Sequence, residues 1–234
     1  MINFDEMPSS TRPPRPGNFD EKYDPNRKYT EADFKRWNRS PAQPSISLDR
    51  SWAKPNVFSK WPTAALLNRE QWIAGLANQF GWTRGAELGV WQGRTFLFVL
   101  QTCPQLTLIG VDLWAAQPDN EGPETWSTWE HEQYELDVRT KAAQFGERAI
   151  VVKNWTTEAA KDVEDNSLDF VFIDADHSTE AVRADFEAWA PKVKEDGWIL
   201  GHDINWPTVR VVVDELLPGY IVGPDNAWGR KKNV

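Results

Sequence analysis

Residues 85–93 read Gly85-Ala86-Glu87-Leu88-Gly89-Val90-Trp91-Gln92-Gly93. A short apolar strand here runs into a glycine turn, and the residues after the turn have the periodicity of a helix. Glycines let the backbone approach a ligand closely, and a helix N-terminus offers free N–H groups, so this layout is typical of a nucleotide-cofactor site. A tight strand-to-helix turn without a ligand is the alternative, and the pattern alone does not choose between them.

The charge of this stretch separates two kinds of nucleotide site. Dinucleotide sites carry G-x-G-x-x-G and place no carboxylate beside the pyrophosphate. Here Glu87 stands two residues before Gly89, and the glycine spacing is different. A carboxylate at this point suits a positively charged ligand group, such as the ammonium of S-adenosylmethionine.

Composition narrows the classes of partner. The net charge of the 234 residues is −9, and it is uneven: residues 1–55 carry ten Lys and Arg against eight Asp and Glu, and the rest carry sixteen against twenty-seven. An acidic body argues against a groove that follows nucleic-acid phosphates, so we expect small molecules, sugars or proteins as substrates.

The same composition predicts a cytoplasmic protein that does not associate with a membrane. No apolar run approaches the roughly 18 residues of a membrane span. The N-terminus lacks the basic and then apolar layout of a signal peptide. The single cysteine, Cys103, excludes an internal disulfide framework and fits a reducing cytosol.

The chain divides into an arm and a globular domain. Residues 1–55 hold eight of the sixteen prolines and few aliphatic residues, which predicts an extended or disordered arm. An arm that wraps its own domain, or a partner subunit in a homo-oligomer, is the alternative reading because the segment is rich in aromatic residues. Residues 56–234 form the predicted domain, with a lid-like insertion at about 113–130.

Within this domain, short apolar runs alternate with helical patterns, which predicts an α/β fold with a parallel, Rossmann-like, doubly wound sheet. A Gly-Pro-Asp-Asn segment joins two short strand-like pieces near the C-terminus and predicts an antiparallel hairpin. The apolar runs are 86–90, 106–111, 149–152, 170–173 and 198–200.

Polar residues end the five predicted strands. In an open parallel sheet the ligand lies at the carboxyl ends of the strands, so these residues should surround it. Asp112 could accept hydrogen bonds from two ribose hydroxyls, although an acid here also occurs in NAD enzymes. Trp155 could cover an adenine face or simply pack. The strand-end residues are Glu87 and Gly89, Asp112, Asn154 and Trp155, Asp174, and His202 and Asp203.

Together these motifs resemble class I S-adenosylmethionine-dependent methyltransferases. The narrower resemblance is to small-molecule O-methyltransferases of the catechol and macrolide-sugar type, and it covers about residues 61–234. It implies a seven-stranded, mostly parallel sheet with a reversed last strand. The motifs that carry it are Glu87-x-Gly89-x-x-x-Gly93, Asp112, Phe-Ile-Asp-Ala-Asp-His at 172–177 and Gly-His-Asp at 201–203.

The resemblance also implies a set of cofactor-binding residues. The glycine motif and Thr95 would hold the methionine end of S-adenosylmethionine, Asp112 the ribose, and residues 154–156 the adenine edge. The full set is Glu87, Gly89, Gly93, Thr95, Asp112, Asn154, Trp155, Thr156 and Asp174.

A metal site is implied as well. Asp174 and Asp203 fall where metal-dependent members place two oxygen ligands for Mg²⁺. Ile204 stands where catechol-type enzymes supply an amide ligand, so a neighbour would have to compensate. The alternative is that these two carboxylates bind no metal and only position the substrate and the ends of helices. The neighbours that could compensate are His202, Asn205 and Asp176.

The predicted activity is methyl transfer to a hydroxyl of a small molecule or sugar. His177 matches the position of a basic lysine in catechol-type enzymes, and a neutral imidazole there could act as general base beside Asp174. Three rivals stay open: a nicotinamide oxidoreductase, a protein or glycan methyltransferase that uses the arm, and a non-catalytic nucleoside-binding scaffold.

Overall fold

The structure is a computed structural model that describes residues 68–115 and 128–233. The predicted arm over residues 1–55 and most of the lid-like segment at 113–130 lie outside the described residues. Within them, residues 68–115 and 131–233 belong to one compact unit. None of the helices in these ranges has the length and apolarity that a membrane crossing requires.

Six α-helices and seven strands alternate along this part of the chain. The helices are α1 (Arg69–Phe80), α2 (Arg94–Thr102), α3 (Thr128–Ala142), α4 (Thr156–Ala159), α5 (Thr179–Trp189) and α6 (Pro207–Leu216). The strands are β1 (Arg84–Leu88), β2 (Thr107–Asp112), β3 (Ala149–Lys153), β4 (Leu168–Ile173), β5 (Val193–Gly201), β6 (Ile221–Val222) and β7 (Trp228–Lys231).

All seven strands form one sheet in the order β3-β2-β1-β4-β5-β7-β6. Strands β1 to β5 are parallel, and β7 is antiparallel to both β5 and β6. The predicted Rossmann-like sheet with a reversed C-terminal hairpin is therefore confirmed. The strand order changes direction between β1 and β4, so a ligand crevice is expected at their carboxyl ends.

Burial explains why the apolar runs form strands, with one exception. Leu88, Val111 and Phe172 are fully buried between the helical layers. Strand β3 is the exception, because its Ile150 is 38% exposed. Since β3 is the last strand on its side of the sheet, one side of it has no neighbouring strand to cover it.

Helix α1 begins and ends at residues whose chemistry favours those positions. The Asn68 side chain accepts a hydrogen bond from the Gln71 backbone, and the Gln71 side chain accepts one from the Asn68 backbone, which completes a capping box. Gly81 ends the helix with a left-handed φ of 66°. Because α1 leads directly into β1, its first residue, Arg69, lies at the carboxyl edge of the sheet.

The C-terminal hairpin turns back at this same edge. Asp225 and Asn226 have φ values of 55° and 57°, and the Ala227 N–H donates to the Pro224 carbonyl over 3.0 Å. Two left-handed central residues are characteristic of a type I′ turn, which matches the twist of a hairpin. Because Gly201 at the end of β5 pairs with the start of β7, the turn brings Asp225 to the carboxyl ends of the parallel strands.

Gly89 is required by backbone packing at the crossing from β1 to β4. Its φ is +86°, and a Cβ atom there would lie 2.0 Å from the carbonyl oxygen of Asp174. The two strand ends are joined by a hydrogen bond from the Asp174 N–H to the Leu88 carbonyl, over 2.9 Å. Gly89 therefore allows the ends of β1 and β4 to approach each other closely. This approach sets the position of Asp174.

We expect Gly89→Ala to destabilise the fold by about 3 kcal/mol or more, because left-handed strain and a backbone clash add together. Gly81→Ala is the matched control, since Gly81 is also left-handed but a Cβ atom at that position would have no neighbour within 4 Å. Its cost should be about 1 kcal/mol. Urea unfolding followed by tryptophan fluorescence measures both, and equal losses would contradict the clash.

Candidate functional site

Five carboxylates lie at the carboxyl edge of the sheet. Four of them are strand-end residues that the sequence predicted, and the fifth comes from the hairpin turn. They are Glu87 in β1, Asp112 at the end of β2, Asp174 after β4, Asp203 after β5, and Asp225.

Glu87 is the most deeply buried of these acids, with 3% of its surface exposed. Burial raises its pKa well above the ordinary value, and the nearby Asp174 charge raises it further. Ionisation of Glu87 therefore becomes more favourable when a positive group is close. This position favours a cationic ligand group and disfavours a phosphate.

Asp112 ties together the two loops that follow β1 and β2. Its Oδ2 accepts the Trp91 N–H and its Oδ1 accepts the Trp114 N–H, both over 2.7 Å. Both tryptophans have left-handed φ angles, 48° and 39°. Burial raises the Asp112 pKa, and the two backbone donors oppose that shift. A carboxylate has about four acceptor sites, so Asp112 retains capacity for ligand hydroxyls.

Of the residues predicted to bind adenine, Trp155 is exposed to solvent and Thr156 is directed into the protein. Trp155 precedes α4 and is 53% exposed, and its N–H donates to Asn154 Oδ1 over 2.9 Å. The Thr156 hydroxyl instead donates to the buried carboxylate of Asp185, and its carbonyl accepts the Trp189 indole N–H. The Thr156 side chain is therefore engaged in packing α4 against α5.

A cluster of two aspartates and one histidine lies beyond β4 and β5. Donor atoms of Asp174, His177 and Asp203 all lie within 4.8 Å of one another. His177 Nε2 is 2.8 Å from Asp203 Oδ2 and 3.8 Å from Asp174 Oδ1, yet this buried atom makes no hydrogen bond of good geometry within the described part of the chain. Trp206 stacks on the His177 ring at 5.0 Å and fixes its plane.

His202 forms a second contact between the same carboxylates. Its Nδ1 is 3.1 Å from Asp203 Oδ2 and 3.5 Å from Asp174 Oδ1. The residue is 9% exposed, and its carbonyl accepts the indole N–H of Trp228 over 2.9 Å. Trp228 therefore connects the reversed strand directly to the site.

The carboxylates control the charge of both histidines. Burial alone lowers the pKa of each imidazole, but Asp174 and Asp203 outweigh it and raise the pKa of His177 to about 10 and that of His202 to about 9. In return, the histidines hold the pKa of both aspartates below the ordinary value despite burial. Without a ligand His177 is thus an imidazolium at neutral pH, which differs from the neutral imidazole that the sequence suggested.

Arg69 is a site residue that the sequence analysis missed. Its Nε donates to Thr95 Oγ1 over 3.2 Å, and its NH1 lies 3.1 Å from a ring nitrogen of His202. Its guanidinium is also 3.6 Å from Asp174 Oδ2 and 4.0 Å from Asp225 Oδ2. One signal was available, since a cation in the first turn of a helix opposes the helix dipole and needs another reason to be there.

We expect Asp203→Asn to lower the pKa of His177 from about 10 by more than one unit, since one of two neighbouring negative charges is lost. A raised histidine pKa stabilises the fold fully below the unfolded value of about 6.5 and loses that effect as pH rises towards 10. The variant should therefore be destabilised most at pH 6 and progressively less towards pH 10.

The measurement is the NMR titration of the His177 ring, in EDTA, together with urea unfolding at several pH values. Asp165→Asn is the control, because Asp165 is exposed and pairs with Lys192. A wild-type His177 that titrates near 6.5 would contradict the charge coupling.

The fold and this edge define an α/β protein of the class I methyltransferase type. A sequence model described as a methyltransferase domain matches residues 86–204, from β1 to the segment just after β5 and half of the chain. The chain therefore belongs to this methyltransferase-domain family, as the motifs predicted.

The chain is also similar to an uncharacterized protein and to two solved structures. Protein y4gI of Sinorhizobium fredii is 27% identical over 157 residues, which are 65% of this chain but only 15% of the length of that protein. An O-methyltransferase from Bacillus cereus in complex with SAH is 14% identical, covers 72% of this chain and 83% of its own, and has a TM-score of 0.50. SAH-bound methyltransferase PaMTH1 of Podospora anserina is 12% identical, covers 68% and 76%, and has a TM-score of 0.52. At these identities the solved structures show a shared fold.

Proposed function

We propose that the chain transfers the methyl group of S-adenosylmethionine to a hydroxyl of a small molecule or sugar. The observation that carries this proposal is the set of acids at the carboxyl edge of the sheet, with Glu87 buried beside the Gly89 turn, in a family whose domain is a methyltransferase domain. Two proteins of the same fold are described as bound to SAH, the demethylated form of this cofactor.

The site fits this cofactor better than a dinucleotide. Glu87 is buried where a positive group lowers the cost of its ionisation, and Asp174 adds a second negative charge nearby. A pyrophosphate would meet both carboxylates, and like charges in a buried site strongly disfavour each other. Glu87, Gly89, Gly93 and Thr95 would hold the methionine end of the cofactor, with Asp174 beside it.

The other end of the cofactor would lie along β2 and β3. Asp112 would accept the ribose hydroxyls while it holds the two adjoining loops. The exposed Trp155 would offer a flat face to adenine, beside Asn154. Because its side chain is bound to Asp185, Thr156 would contribute through its backbone only.

The acceptor hydroxyl must lose its proton during methyl transfer, and His177 is placed to take it. The two aspartates hold a proton on His177 in the absence of ligand, so the imidazole can act as a base only when other positive charge offsets theirs. The positively charged cofactor supplies one such charge at the same edge. His177 would then take the acceptor's proton, and the Asp203 carboxylate, whose Oδ2 lies 2.8 Å from Nε2, would stabilise the imidazolium that forms.

The same cluster also fits a divalent cation. Asp174 and Asp203 offer hard oxygen donors that lie within 4.8 Å of each other. Ile204 is 2% exposed and supplies no donor, whereas His202 lies against both carboxylates. When bound, such an ion lowers the pKa of a coordinated hydroxyl. We therefore include Mg²⁺ in the proposal, with Asp174 and Asp203 as its protein ligands.

We expect Asp112→Ala to weaken SAH binding about 10- to 100-fold, because charge-assisted hydrogen bonds to the ribose are lost. Calorimetry with SAH measures this, after a thermal-shift comparison of S-adenosylmethionine, SAH and NAD with the wild-type chain. Stabilisation by NAD instead of SAH would overturn the proposed cofactor.

Asp169→Ala is the matched control for that variant. Asp169 Oδ2 also accepts two backbone N–H groups, from Thr83 and Arg84. Asp169 lies near the start of β4, however, at the edge of the sheet opposite the site. It should lower stability as Asp112→Ala does and leave the SAH affinity within about threefold. Equal weakening by both variants would mean that Asp112 acts only through the fold.

We expect His177→Ala to reduce turnover at least about 100-fold, since a general base contributes 10²–10⁴-fold, and to leave SAH affinity near that of the wild type. Mn²⁺ binding, followed by electron paramagnetic resonance as a substitute for Mg²⁺, should survive in His177→Ala and be lost in Asp203→Asn. Loss of Mn²⁺ in His177→Ala would identify His177 as a ligand and refute its role as the base.

A further inference from the structure

Arg69 has a surplus of hydrogen-bonding capacity at the centre of the site. A guanidinium has five N–H donors and stays charged at every accessible pH. Its carboxylate neighbours Asp174 and Asp225 are at 3.6 and 4.0 Å, beyond the 2.7–2.9 Å or so of a charge-assisted hydrogen bond. Its short polar contacts among the described residues are the Thr95 hydroxyl, 3.2 Å from Nε, and a ring nitrogen of His202, 3.1 Å from NH1, which leave the other guanidinium N–H groups for a further acceptor.

This arrangement is not explained by the stability of α1. Arg69 is the first residue of the helix, where a positive charge opposes the dipole. The adjacent acid, Glu70, forms its short ion pair with Arg94, over 2.8 Å, and not with Arg69. With 19% of its side chain exposed, Arg69 is also largely withdrawn from water. Arg69 therefore combines an unfavourable position in the helix, partial burial and long ion pairs. This combination indicates that it can bind a further anionic group.

The proposed cofactor has such a partner. Its methionine part is a zwitterion, with an ammonium and a carboxylate on the same carbon. The buried acid Glu87 and Asp174 suit the ammonium, but they repel the carboxylate. Within the described residues Arg69 is the one arginine or lysine within 4.0 Å of an Asp174 oxygen, so it can offset that repulsion.

Thr95 marks the place where the carboxylate would be received. It lies in the first turn of α2, 3% exposed, and its hydroxyl touches the Arg69 guanidinium. The first N–H groups of an α-helix have no partner within the helix and favour an anion. The N-terminus of α2, beside the glycine turn, therefore has the Thr95 hydroxyl and the Arg69 guanidinium next to its free N–H groups.

We propose that Arg69 binds the α-carboxylate of the methionine part of S-adenosylmethionine, with Thr95 as its neighbour. This inference rests on the proposed function, because it specifies how the same cofactor is recognised. Arg69 separates the two charges of the zwitterion, so that the ammonium turns to Glu87 and the carboxylate turns away from it. Nucleosides that lack the carboxylate should bind weakly for this reason.

The test compares SAH with S-adenosyl-3-thiopropylamine, which keeps the adenosine, the sulfur and the amine but lacks the carboxylate. Calorimetry should show that the wild-type chain prefers SAH by about 10- to 100-fold, as a charge-assisted hydrogen bond predicts. Arg69→Met should weaken SAH by a similar factor, change the thiopropylamine by less than about threefold, and so abolish the preference. Arg69→Lys should restore part of it.

Arg183→Met is the matched control, since Arg183 is a partly exposed arginine whose ion pair with Glu215 joins α5 to α6. It should keep the wild-type preference. Circular dichroism and thermal unfolding establish that each variant is folded. If Arg69→Met does not fold, the wild-type preference and the Arg69→Lys variant still decide the question.

The outcomes that would overturn the two proposals are distinct. A wild-type chain that binds neither nucleoside refutes the proposed function itself. Binding of both with equal affinity by the wild type refutes the role of Arg69 alone, and so does an equal loss of both ligands in Arg69→Met, which would indicate a purely structural residue.

Discussion

Confinement of negative charge at one edge of the sheet is the constraint on which the site depends. Parallel strands deliver their carboxyl ends to the same edge, and here Glu87, Asp112, Asp174 and Asp203 arrive together. Repulsion in a partly buried space is costly, and the chain offsets it with its own cations. Arg69 and the two histidines, whose pKa values the aspartates raise to about 10 and about 9, provide that balance, and burial holds the pKa of Glu87 well above its ordinary value. A cationic cofactor would add to the positive charge that already offsets these acids.

The balance also connects His177, the proposed proton acceptor, with the proposed ligands around it. His177 is held in its charged form by the same two aspartates that would hold a divalent ion. Under the proposed function, this site would deprotonate a hydroxyl only when the cationic cofactor and the divalent ion are both bound. Deprotonation would thus be coupled to occupancy of the site, because the imidazole loses its proton when its carboxylate partners are neutralised by something else.

Much of the fold and of the candidate site was predictable from the sequence. The apolar runs and the turn residues at 223–226 are local signals, and each predicted the right element. The polar strand-end residues followed from the rule that parallel strands end together. The edge position of β3 was not predictable, because the order of strands in a sheet is not encoded in any single run.

What the sequence could not provide depends on contacts between distant segments. Arg69 and Asp225 enter the site from the start of a helix and from a turn, where no strand-end pattern points to them. The charge of His177 depends on Asp203, and the side chain of Thr156 is directed inward by Asp185. Even Gly89, which suggested a ligand, is required first by the carbonyl of Asp174.

The reversed final strand has a consequence for how the molecule becomes functional. Strand β7 pairs with β5 through contacts that include Trp228, whose indole holds the His202 carbonyl, and its turn places Asp225 near Arg69. Arg69 and Asp225 belong to opposite ends of the described chain, so their meeting closes a very long loop, and such contacts form slowly. A nascent chain could therefore build most of its sheet while the crevice is still incomplete, and binding competence would be acquired in the last stage of folding.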